Sequence, residues 1–222
     1  MLRSGFLLLL TFGLLNGQAD PKRFAASIAA FHTQDQVQPP PKQAILFIGS
    51  SIFRLWNDLK EQMAPLPVFN RAFGGSQTAD LLFYMDQVVL PYEPRMIVYY
   101  CGSNDINAGI GPDRIFDGFR RFVERVHDKL PETRVVFVSI HRAPQKKAQW
   151  DQVNEANRLV EQYCRRNKLL AYVDVNPAIF DREGNPRLDL YLPDLLHFKA
   201  PAYVGFTAIL KPELEKLWAS AR

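Results

Sequence analysis

Five short runs of consecutive apolar residues, separated by turns and helical patterns, restrict this chain more than any other feature. They are residues 44–48 (AILFI), 67–69 (PVF), 96–100 (MIVYY), 134–140 (RVVFVSI) and 169–175 (LLAYVDV). Runs this short are not free-standing helices, and their near-continuous hydrophobicity marks strands buried on both faces. Between them, apolar residues recur at helical spacing. One helix opens at Ser50 or Ser51 and carries Ile52, Phe53, Leu55 and Trp56; a second is capped by Ser76, after the Gly74-Gly75 turn, and runs to about Val89. A third starts at Pro112 and Asp113 with Ile115, Phe116, Phe119, Phe122, Val123 and Val126 inward. A fourth spans 146–167 through Trp150, Val153, Leu159, Val160 and Tyr163, and a last one covers about 201–219. Alternation of this kind predicts an α/β fold, one three-layer domain around a mostly parallel sheet. A chain of 222 residues is long enough to bury one such core.

The N-terminus follows a different logic. A short basic stretch (MLRS) precedes an apolar core (GFLLLLTFGLL) too short to span a bilayer, and Gly17-Gln18-Ala19 supplies small residues for cleavage. Residues 1–19 therefore read as a signal peptide, which predicts an exported, periplasmic or secreted protein with no stable membrane insertion after cleavage. Residues 20–43 read as a helix with Phe24, Ile28 and Phe31 on one face, then a stiff extended Pro39-Pro40-Pro41 segment strapped onto the main domain at 44–222. The net charge of +4 comes from interspersed residues, which gives no argument for nucleic acid. Cys101 ends an apolar run and Cys164 lies on a predicted helix; two cysteines make no framework, and both read as buried thiols. Oligomeric state is not legible in this sequence.

Parallel α/β sheets place their sites beyond the C-terminal strand ends, and the polar clusters of this chain fall there. Ser50-Ser51 follows the first run, Gly74-Gly75-Ser76 the second, and Gly102-Ser103-Asn104-Asp105 the third; Asp194-Leu195-Leu196-His197 precedes the last helix. A serine at a helix start, among converging N–H groups, suits a nucleophile whose attack creates an oxyanion, although the same serine could be a plain N-cap. Such a nucleophile needs a base and a group that holds the base in one tautomer. His197 with Asp194 three residues before it meets that need, and a local helix-start motif is the plainer alternative. His141, after the fourth run, stands at the same edge and could line a substrate pocket. The N–H groups of Ser51 and Gly75 and the Asn104 amide could hold an oxyanion; equally, Gly74-Gly75 could be only a turn and Asn104 could only close its loop. The histidines and acids show no metal-ligand spacing, and no cofactor is called for.

These four blocks, in this order, resemble the SGNH hydrolase superfamily, also called GDSL-type esterases and lipases. FIGSSI matches the nucleophile block with Ser51 in the nucleophile position; NRAFGGSQTADLL places Gly75 as the oxyanion glycine; YYCGSNDI places Asn104 as the oxyanion asparagine; LPDLLHF places Asp194 and His197. The resemblance is strongest to exported bacterial acylhydrolases similar to platelet-activating-factor acetylhydrolase subunits. It implies a flavodoxin-like α/β/α sandwich with five parallel strands and a serine ester hydrolase acting on small acyl esters, with acetyl groups on glycans as one candidate. Lysophospholipase or thioesterase activity, or a non-catalytic carbohydrate-binding role, are the other functions this fold hosts. Two positions depart from the family pattern. Ser50 replaces the usual Asp before the nucleophile, and Leu195 stands where glycine is common, which makes the loop less free and its pocket wall more apolar.

Overall fold

A computed structural model describes residues 20–220. The expected signal peptide, residues 1–19, lies outside the described residues. The elements run in order α1 (Ala25–Val37), β1 (Ile45–Gly49), α2 (Ser51–Arg54), α3 (Leu59–Met63), β2 (Val68–Asn70), α4 (Thr78–Phe83), α5 (Met85–Val88) and β3 (Met96–Tyr100). They continue with α6 (Ser103–Asn107), α7 (Pro112–Lys129), β4 (Arg134–Val138), α8 (Trp150–Cys164), β5 (Leu170–Val173) and α9 (Ala200–Ala219). The five strands form one sheet in the order β2-β1-β3-β4-β5, and every pairing is parallel.

Strand periodicity divides the apolar side chains between two cores. Leu46, Ile48, Ile97, Tyr99, Val135 and Phe137 face α1, α4, α5, α7 and α8. Ile45, Phe47, Met96, Val98, Tyr100, Val136 and Val138 face α2, α3 and α9. The strands are fully enclosed because both faces are covered, which is why their sequences lack alternation. The N-terminal segment packs on the first of these cores: Phe24, just before α1, and Ile28 within it are buried, and Phe24 meets Phe73 edge-on at 4.9 Å.

Several elements are shorter than their sequence patterns. β4 and β5 stop at Val138 and Val173, although Ile140 and Val175 are buried beyond them. The Asn157 amide there replaces the strand ladder, accepting from Ile140 N–H and donating to Ile140 C=O at 2.8 Å each. The expected single helix from Ser76 to Val89 is two pieces, broken at Tyr84 (φ −91°, ψ 5°). Ser76 is not its cap either. Gln77 takes that position, with the Asp80 carboxylate accepting the Gln77 N–H at 2.8 Å in a capping box, while the Ser76 hydroxyl donates to Gly49 C=O at 3.1 Å. The helix after the first strand is a single turn, and Leu55 (φ −87°, ψ 0°) ends it.

Candidate active site

β1 reaches the site through Gly49. Its φ is +150°, and a Cβ there would lie 1.9 Å from the Tyr100 carbonyl oxygen, so only glycine lets β1 leave the sheet this close to β3. Ser50 N–H then donates to Tyr100 C=O at 3.1 Å, and Ser51 begins α2. Because α2 has only four residues, little macrodipole stands behind Ser51; what the turn provides is a fixed hydroxyl and N–H direction.

The loop before α9 carries His197 to that hydroxyl. Ser51 Oγ lies 2.8 Å from His197 Nε2, and His197 Nδ1 lies 2.6 Å from Asp194 Oδ2. The second Asp194 oxygen accepts the backbone N–H of Leu196 at 3.0 Å and of His197 at 2.9 Å. Partial burial pushes the Asp194 carboxyl upward, but these hydrogen bonds from the His197 ring and the two amides outweigh it and draw it down to about 2. An ionised Asp194 accepts the Nδ1 proton, which leaves Nε2 as acceptor for the Ser51 hydroxyl. An imidazole in this state can take a proton from an attacking hydroxyl.

Gly75 and Asn104 come from the ends of β2 and β3. Gly75 has φ +84° and is exposed, and among the described residues neither its N–H nor that of Ser51 has a protein acceptor. Asn104 Nδ2 donates to Ser76 C=O at 3.0 Å, which leaves its second amide proton for another acceptor. Ser76 thus joins the end of β1, through Gly49, to Asn104. The buried Asp105 adds a second tie, accepting from Thr78 N–H at 3.0 Å and Thr78 Oγ at 2.7 Å, while burial raises its carboxyl above the ordinary range.

Two expected pocket residues separate. Leu195 is 39% exposed beside His197, at the rim, with a left-handed backbone (φ 55°). His141 is not a lining residue: it is 1% exposed, and both ring nitrogens are taken, by Tyr100 OH at 2.6 Å and Leu196 C=O at 3.1 Å. Burial pulls its imidazole down to about 3, against the Leu196 carbonyl, so it is neutral and offers no atom to a substrate. Sequence reading missed the ties made by Ser76 and Asp105. Both lay inside recognised clusters, Gly74-Gly75-Ser76 and Gly102-Ser103-Asn104-Asp105, but the partners of their side chains are distant in sequence and left no local signal. A groove of about 600 Å³ lined by β2, Trp56 and residues 39–41 includes none of Ser51, Asp194 or His197, so it lies apart from this chemistry.

Comparison with known proteins places this geometry in context. The model of the GDSL-like lipase/acylhydrolase family matches residues 47–204. No curated protein sequence matches the chain. Among solved structures, it is similar to a provisionally assigned platelet activating factor from Streptococcus pneumonia, with 20% identity, TM-score 0.75, and 87% of this chain and 93% of that chain covered. A GDSL-like lipase from Bacteroides thetaiotaomicron aligns with 20% identity and TM-score 0.69, covering 89% and 98%. A variant of an acetyl xylan esterase from Geobacillus stearothermophilus aligns with 14% identity and TM-score 0.64, covering 78% and 94%. At these identities the likeness establishes the fold.

Proposed function

The chain belongs to the GDSL-like lipase/acylhydrolase family, and from that membership we propose that it is a serine esterase whose nucleophile, base and orienting acid are Ser51, His197 and Asp194. The observation that carries this reading is the unbroken hydrogen-bond chain from Ser51 Oγ through the His197 ring to Asp194. His197 Nε2 takes the hydroxyl proton as Ser51 Oγ attacks the ester carbonyl carbon. The tetrahedral oxyanion is held by the N–H groups of Ser51 and Gly75 and the second amide proton of Asn104, donors fixed before the reaction. His197 then protonates the leaving alcohol as the ester C–O bond breaks. Water then attacks the acyl-enzyme carbonyl and gives its proton to His197, which passes it to Ser51 Oγ as the acyl C–Oγ bond breaks and the carboxylic acid leaves. The scheme needs no metal or cofactor.

For substrate we propose a small-molecule or glycan ester with a short acyl group, acetyl first. Support comes from the acetyl xylan esterase among the structural neighbours. We also propose that residues 1–19 direct export and are removed before Asp20, on the strength of their signal-like pattern. N-terminal sequencing of the protein recovered from its producing cell checks that point.

The deciding experiment labels the chain starting at Asp20 with a fluorophosphonate and maps the adduct by mass spectrometry, beside His197→Ala and Ser51→Ala. An adduct on Ser51 that is lost in His197→Ala is the expected result. Ester hydrolysis should fall on the order of 10⁴- to 10⁶-fold in Ser51→Ala. Folded protein that neither labels nor turns over esters would make the chain a binding protein on this fold. Preference for long-chain micellar esters in an acyl-length series would replace the short-acyl reading with a lysophospholipase.

A further inference from the structure

One short connection touches both halves of the site. Between β4 and α8 the chain turns tightly, with Ala143 N–H donating to His141 C=O and Lys146 N–H to Ala143 C=O, each at 3.0 Å. The turn is pinned to the body of the protein: Trp150 Nε1–H donates to Ala143 C=O at 2.8 Å, and Arg142 N–H to Asn176 Oδ1 at 2.9 Å. From this anchored turn two buried side chains reach two different loops of the site.

His141 reaches the loop of the base. A carbonyl can only accept, so His141 Nε2 carries the proton and donates it to Leu196 C=O at 3.1 Å. Nδ1 must then accept, and Tyr100 OH donates to it at 2.6 Å. The ring is held between Tyr100 and Phe198, whose centroid is 4.8 Å away. Gln145 N–H adds a bond to Leu195 C=O at 3.2 Å. Leu195 and Leu196 are the two residues between Asp194 and His197, so these bonds fix the peptide that sets the acid and the base relative to Ser51.

Lys146 reaches the other half. It is 6% exposed, and its ammonium donates to Ser103 C=O at 2.6 Å and Ser103 Oγ at 2.9 Å. Ser103 immediately precedes Asn104. A polar group buried in this way serves local satisfaction in any fold. Here both acceptors, one backbone carbonyl and one hydroxyl, belong to the residue next to a side chain that must stand within tenths of an ångström of its target, where a displacement of about 1 Å costs on the order of 10²-fold in rate.

We propose that residues 141–146 brace the active site, with His141 a positioning residue for His197 through Leu196 and Lys146 a positioning residue for Asn104 through Ser103. The proposal rests on the roles given to Ser51, His197 and Asn104 above. It goes beyond them by assigning catalytic alignment to two residues that touch neither substrate nor the reacting atoms.

The test measures kcat and KM on a short-chain ester, thermal unfolding, and the downfield proton resonance of the His197 Nδ1–H bonded to Asp194. His141→Leu removes both ring bonds and should lower kcat by about 10²-fold with KM within about threefold, while broadening the downfield resonance. His141→Gln keeps a donor for Leu196 C=O and should recover roughly tenfold of that loss. Lys146→Met should lower kcat by about tenfold or more and leave the resonance unchanged, since it acts on the oxyanion side. If His141→Leu does not fold, Tyr100→Phe takes its place: it strips the donor from Nδ1 and should lower kcat several-fold with KM unchanged. Wild-type kcat in folded His141→Leu, or in Tyr100→Phe where that variant stands in, overturns the His141 role; so does a His141→Gln no more active than His141→Leu. Wild-type kcat in Lys146→Met overturns the Lys146 role. Ser51→Ala is run alongside. Its full activity would overturn the proposed function itself, whereas its inactivity with normal brace variants overturns only the brace.

Discussion

Leu195 occupies a conformation that an L-residue with a branched side chain takes at a cost. Its φ of 55° puts it in the left-handed region, which costs about 1–2 kcal/mol for a non-glycine residue. Bonds from its own N–H to Leu192 C=O (2.9 Å) and to its C=O from Gln145 N–H (3.2 Å) hold it there. Leu195→Gly would relieve that strain, while the greater freedom of glycine in the unfolded chain takes back about 0.4–1 kcal/mol. The expected outcome is a stability gain of up to about 1 kcal/mol in thermal unfolding; a clear loss would show that the leucine side chain packs at the rim more firmly than its exposure suggests. The neighbouring Asp194 makes a prediction of the opposite kind. Its carboxyl is drawn from an ordinary 3.8 to about 2 in the folded protein, so on acidification the unfolded chain takes up this proton first. Its contribution to stability is therefore complete above about pH 4 and disappears as pH falls toward 2. Asp194→Asn, followed by urea unfolding across that range, should lose this increment of acid sensitivity relative to wild type. The same variant should lower kcat by about 10⁴-fold, because the amide no longer enforces the Nδ1–H tautomer. A wild-type acid slope in Asp194→Asn would mean that the carboxylate is not held as drawn.

At the scale of elements, what the sequence disclosed depended on how local the governing interaction is. β1 and β3 were legible almost to the residue because burial on both faces leaves a run of five apolar positions and nothing else. The helices around the site were not. Residues Leu81, Leu82, Met85, Val88 and Val89 keep an apolar period straight through Tyr84, yet the backbone breaks there, and the cap shifts from Ser76 to Gln77 because Ser76 is engaged by Gly49. Tertiary bonds of that kind leave no mark on periodicity. The N-terminal helix shows both cases at once. Its apolar face was plain, but its lock was not: Asp35 pairs with the buried Arg71, 36 positions away, and accepts from Tyr92 OH at 2.5 Å, 57 positions away. Arg71 also lies over the rings of Phe31, Phe69 and Tyr92. Burial, then the Asp35 bond, raise the Tyr92 hydroxyl to about 12, so it remains a donor at any ordinary pH. Asp35→Ala leaves a buried guanidinium without its carboxylate and should cost about 3 kcal/mol in urea unfolding. A loss below about 1 kcal/mol would reduce the helix to a loosely attached surface segment.

For the whole molecule, the two cores on either side of the sheet decide how its cysteines behave. Cys101 directly follows β3 and Cys164 ends α8; both are free thiols, both are buried, and both belong to the same core. Burial raises both thiols, Cys164 to about 12, so the reactive thiolate is scarce in the folded state. Sequence alone suggested buried thiols from their neighbours, but the reason they stay inert is collective: Cys101 is enclosed by the sheet end and by Ser76, whose carbonyl accepts its S–H at 3.4 Å. A chain exported as proposed above would meet oxidants, and pairing its two cysteines would require this core to open. The fold therefore makes thiol chemistry a reporter of global unfolding. With excess iodoacetamide at neutral pH, both cysteines should label together and at a rate that rises with denaturant in step with unfolding, and a reductant should leave the melting temperature unchanged. Rapid labelling of Cys164 alone would reveal that α8 opens independently of the sheet. Because α8 packs directly behind the turn at residues 141–146, such an opening would also loosen the brace on which the alignment of His197 and Asn104 is proposed to depend.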